Sequence, residues 1–188
     1  MNEQENWIKV VLQYLFEEIP DVEFEKYVNE NKSIESRMEQ EDYLELISNN
    51  YTKKHHRHEL RNLLKKYVSE SKIETAQIQS MLRKFVAGIG DPAQIIDDLY
   101  NMVARHIYVC NLAMQSVNGV DNLPRLSEKQ NWNEKEFERT RKWFTDALPK
   151  LRGIAKLILE SFENGDLIET DEGVVQSEGF KNKMEKYD

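Results

Sequence analysis

Residues 51–60, YTKKHHRHEL, hold three of the chain's four histidines within four positions. Imidazole can ligate a metal or move a proton near neutral pH. On a helix at about 100° per residue, His55, His58 and Glu59 share one side. His56 falls at the edge of the apolar face centred between Leu60 and Leu64. Two imidazoles and a carboxylate at i, i+3 and i+4 could reach one ion. The order is H-x-x-H-E, however, not the H-E-x-x-H that places two histidines one turn apart around a general base. No second His- or Cys-rich segment completes the ligand set, and Lys53, Lys54, Arg57 and Arg61 repel a cation. His55, His58 and Glu59 are therefore the weak candidates for a metal. The expectation is a solvated helix face with no metal and no cofactor.

The same stretch carries the cations of a second chemistry. Lys53, Lys54, Arg57, Arg61, Lys65 and Lys66 face only Glu59 between residues 51 and 66, a net +5. Such a helix could grip phosphates. A hairpin at 166–176 would serve as a wing, but Asp166, Glu169, Asp171 and Glu172 on it repel phosphate. The chain as a whole is acidic, with a net charge of −8 and a pI near 5.2, which disfavours a dedicated nucleic-acid binder. Nucleic-acid regulation is the alternative reading, not the first.

Other chemistries fail on spacing. His106 and Cys110 lie one helical turn apart and could pair, but no third group is in sight. Hydrogen bonding of His106 to a buried polar group is the plainer expectation. Asp97 and Asp98 are adjacent, so on a helix they diverge by about 100°. AGIGDP has a G-x-G but neither a preceding strand nor a third glycine. G-x-S-x-G and C-x-x-C are both missing. No catalytic residue is assigned, and a metal-dependent or Cys/His enzyme ranks third.

The remaining feature is an acidic limb. Eleven acids stand against three bases between residues 17 and 45, a net −8. It precedes the basic helix directly, so the two poles can pair internally or meet a partner. A docking surface for a basic protein partner is the leading functional expectation, of inhibitor, immunity, antitoxin or adaptor type. Glu39, Glu41, Asp42 and Glu45 would steer the partner. Tyr43 and Trp132 would be its aromatic anchors.

The positioning elements read as helical almost throughout. Hydrophobic residues make up 39% and charged residues 32%, and 7 Gly and 4 Pro are too few for the turns of an all-β chain. The expectation is a mainly α, single-domain bundle of about seven or eight helices over 1–165. A small β-hairpin and short helix over 166–188 would pack on the same domain. Apolar spacing at i, i+3 and i+4 marks helices around Trp7–Leu15, Phe24–Val28, Leu44–Ile47, Leu60–Val68 and Ile78–Val86. Ser36 with Glu39, and Ser71 with Glu74, read as capping boxes, and Thr52 as the cap of the basic helix. Asp91-Pro92 opens a helix predicted to reach about Val117, near the centre of the bundle. Residues 120–132 read as a loop. Asn133 opens the last long helix, which Pro149 should break or kink. With one cysteine, no basic-then-apolar leader and no apolar run of about 20 residues, a soluble cytoplasmic protein is expected.

Overall fold

The computed structural model describes residues 3–51, 53, 56–102, 112, 123–170 and 172–187. The fold is mainly α, with eight α-helices among the described residues and one two-stranded antiparallel hairpin. It forms two compact units, Met1–Gln77 and Ile78–Asp188.

The first unit contains α1 (Glu3–Leu15), α2 (Asp21–Glu30), a 3-10 turn (Lys32–Arg37), α3 (Gln40–Ser48), α4 (His56–Leu64) and the start of α5 (Glu70–Ala87). Residues at helical spacing fill its core: Trp7, Val11, Tyr14 and Leu15 from α1, Phe24 and Val28 from α2, Leu60, Leu63 and Leu64 from α4. Full burial of such a side chain contributes about 1.5–3 kcal/mol. Tyr14 and Phe24 stack with ring centroids 3.8 Å apart and planes within 7°.

Two expected caps move. Ser36 does not open α3, because the chain there is a 3-10 turn in which Ser33 Oγ donates to Asn31 Oδ1. α3 begins after Glu39, whose side chain makes no cap. At α5 the cap is Ser69 rather than Ser71, its hydroxyl accepting from the Lys72 N–H at 3.4 Å. Short polar residues flank both starts, and sequence spacing does not say which one takes the extended backbone of a cap. Thr52 lies outside the described residues.

The second unit begins within α5. Gly88, at φ +73°, ends that helix as expected. Gly88 N–H donates to the Phe85 carbonyl and Ile89 N–H to that of Lys84, the paired bonds of a left-handed C-terminal cap. α6 (Pro92–Met102) starts at the expected Asp91-Pro92 pair. Its predicted continuation to Val117, with His106 and Cys110, lies outside the described residues apart from the buried Leu112. Residues 126–131 form a 3-10 turn inside the expected loop. α7 (Glu134–Glu163) is capped by Asn133, which accepts from Lys135 and Glu136 N–H.

α7 runs through Pro149 without a break, so of the expected break or kink the break does not occur. The proline is exposed, so the carbonyl its ring leaves unpaired can be hydrated. Phe144, Leu151 and Ile154 are buried on the same helix and hold it to the core. β1 (Leu167–Thr170) and β2 (Gly173–Gln176) pair with Leu167 opposite Gln176 and Ile168 opposite Val175. α8 (Glu178–Met184) follows, capped by Ser177 as expected. Leu167, Phe180 and Met184 bury into this unit's core with Ile96, Leu99, Phe144, Ile154 and Ile158.

Candidate interaction surface

YTKKHHRHEL begins buried. Tyr51 is only 4% exposed, and its hydroxyl donates to the Leu46 carbonyl at 2.9 Å. His56 is buried as well, with Tyr14 and Tyr51 rings beside it. One ring nitrogen meets the Lys53 carbonyl and the other meets Asp21 Oδ1 at 3.0 Å. His58 and Glu59 are exposed, whereas His55 and Lys54 lie outside the described residues. Among the described residues no three His, Cys, Asp or Glu side chains are grouped to hold a metal.

The two charged poles meet at two points. Asp21, at the first position of α2, takes Arg57 Nη2 at 2.7 Å on the same oxygen that faces His56. Arg57 also donates to the Tyr14 carbonyl at 2.6 Å and lies 4.6 Å over the Tyr14 ring. Burial pushes the Asp21 carboxyl up. The His56 hydrogen bond and the Arg57 charge outweigh it and hold the group below the usual carboxylate range. Burial also pushes the Tyr14 phenol well above its ordinary value.

The second point is Asp42, which faces inward from α3. Lys66 Nζ donates to one carboxylate oxygen at 2.8 Å, and the Tyr67 hydroxyl donates to the other. The Lys66 and Tyr67 bonds keep Asp42 ionised below the usual range. The Tyr67 hydroxyl also accepts from the Glu39 N–H at 3.1 Å. Asp42 therefore ties α3 to the end of the basic segment, and it is unavailable to a partner.

The structure thus divides the expected docking residues. Glu39, Glu41 and Glu45 are exposed, and Tyr43 is half-buried against the core. Trp132 belongs to the second unit, where it packs edge-on against Phe137 at 5.9 Å. Of the expected phosphate-gripping residues, Lys53 and Lys65 are exposed, Arg57 is committed to Asp21, and Arg61 is half-buried. Arg61 lies 5.5 Å over the Phe16 ring.

Sequence reasoning missed two exposed apolar side chains among the acids. Leu44 is 52% exposed, between Glu41 and Glu45 on the outer face of α3. Val22 is 75% exposed on α2, beside Glu23. The signal was present for Leu44, which lies one turn from Glu41 and off the Leu46 side of the helix. Leucine is nonetheless more often buried than exposed, so spacing alone does not single Leu44 out. The Asp21–Arg57 pairing, 36 residues apart, has no sequence signal.

No family model, no curated protein and no solved structure matches the chain. No helix among the described residues is long and apolar enough to cross a membrane.

Proposed function

We propose that the protein is a non-catalytic binding protein that docks a basic protein partner on the outer faces of α2 and α3. The observation that carries this reading is Leu44, half exposed and bracketed by Glu41 and Glu45. An apolar side chain ringed by like charges suits a partner that brings its own apolar residue inside a basic rim. The carboxylates speed the approach of such a partner and fix its register, and the desolvated leucine supplies lifetime. With Asp42 used internally, Glu39, Glu41 and Glu45 are the acids beside Leu44 that face outward.

The test is capture from a native extract, with and without nuclease, at two salt concentrations. Wild type and the triple variant Glu39→Lys, Glu41→Lys, Glu45→Lys are compared. Asp42 is left intact so that α3 stays anchored. A protein retained by wild type through nuclease treatment, and lost by the variant, supports the reading. Recovery of nucleic acid that falls steeply with salt and survives the triple reversal overturns it in favour of the basic helix.

A further inference from the structure

A groove of about 230 Å³ runs between α1 and α2. Val10, Ile19 and Tyr27 make its floor, each half-buried against the first unit's core. Gln13 from α1 lines it beside them, and the exposed Glu23, Lys26 and Glu30 of α2 form its rim. The three rim charges do not cancel. Lys26 Nζ pairs with Glu30 across one turn at 3.9 Å, whereas Glu23 has no ion pair among the described residues. The groove therefore joins an apolar floor to one unanswered carboxylate. Its volume falls below the range of about 300–1,000 Å³ that encloses a free small molecule, and suits a single long side chain.

We propose that this groove seats an arginine side chain of the basic partner, an inference that rests on the docking reading above for the source of the arginine. The aliphatic stem lies on Val10, Ile19 and Tyr27, and the guanidinium pairs with Glu23 and donates to the Gln13 side-chain carbonyl. Charge complementarity selects this occupant. A wholly apolar side chain would leave the Glu23 carboxylate desolvated and unpaired, and an acidic or phosphorylated one would be repelled by it. Lysine brings the charge but not the planar, forked donors that meet a carboxylate and an amide oxygen together. Lys26 opposes the incoming cation, but it and Glu30 are both largely exposed, so their pair is weak and holds the groove only loosely. Val22, one turn from Lys26 on α2, is exposed, so the groove is continuous with the apolar surface of the docking face.

Amide NMR titration of the full chain at about 0.15 M salt tests this with three probes: N-acetyl-arginine amide, N-acetyl-lysine amide and N-acetyl-citrulline amide, the last a neutral isostere of arginine. The arginine probe is expected to shift resonances from 10–30 saturably. The citrulline probe should bind at least about tenfold more weakly, with the lysine probe between the two. Glu23→Gln should weaken the arginine probe by about tenfold. Lys26→Gln, which removes the competing cation and releases Glu30, should strengthen it by about threefold. Both positions are exposed, so neither variant endangers the fold. The inference is overturned if citrulline or lysine binds as tightly as arginine, if Glu23→Gln leaves arginine binding unchanged, or if the arginine probe causes no saturable shift up to about 20 mM. Arginine binding in a protein that captures no partner from extract overturns the docking reading and supports the groove, whereas capture without arginine binding overturns the groove alone.

Discussion

Asp21 and Asp42 are the residues on which the first unit's electrostatics turn. Each is an acid from the limb that the sequence marks as a partner surface, and each is spent inside the protein. Both carboxyls sit below the usual carboxylate range in the folded chain. A depressed carboxyl contributes stability that is fully present above its unfolded value and is lost as pH falls through the folded value. The protein is therefore expected to keep this stability from neutrality down to about pH 4 and to lose it as pH falls further. In the double variant Asp21→Asn, Asp42→Asn that loss should be smaller. Urea midpoints at neutral and acidic pH measure it, and an equal loss in both proteins would remove the two pairs as its source. At neutral pH Asp21→Asn alone should cost about 1 kcal/mol, a modest figure because the pair is partly exposed.

Among the elements, α7 shows how local rules yield to packing. Asn133 caps it through its side chain, and Asn133→Ala should lower stability by about 1 kcal/mol in denaturant titration. Pro149 lies inside the same helix, where it removes one hydrogen bond and crowds the preceding turn. Its side chain is exposed, so Pro149→Ala should remove that penalty without opening a cavity. A gain of about 1–3 kcal/mol is expected, read as a raised Tm. A fall in Tm would mean that the proline sets a bend the core requires. At the end of α5, Gly88 combines φ +73° with an Arg152 guanidinium nitrogen 3.2 Å from where a Cβ would stand. Gly88→Ala should cost about 1–2 kcal/mol.

For the whole molecule, the apolar side chains sort into two clusters, one in each unit. Phe24 is fully buried in the first and Phe144 in the second. Phe24→Ala and Phe144→Ala should each cost about 3–5 kcal/mol by chemical denaturation, because each leaves a cavity in a packed core. The net charge of −8 lies on this framework unevenly. In the first unit, α2 and α3 carry the exposed acids Glu23, Glu25, Glu30, Glu41 and Glu45, and Val22 and Leu44 are exposed among them.

The sequence by itself determined the elements. Apolar residues at i, i+3 and i+4, the Asp91-Pro92 start, the Gly88 stop, the Asn133 cap and the TDEG hairpin turn are all local devices, set by backbone geometry within a few residues. It also narrowed the chemistry, since ligand and nucleophile motifs depend on local spacing. Which charges face outward was decided only by the tertiary structure. Asp42 and Leu44 are two positions apart, and a local reading makes the acid exposed and the leucine buried. Lys66 and Tyr67, more than 20 residues on, reverse that by giving the carboxylate hydrogen bonds that burial would otherwise deny it, which turns Leu44 toward solvent. His56 is buried and Arg57 half-buried against Asp21 in a similar way. Pairing between residues distant in sequence is a property of the packed chain, and no periodicity encodes it.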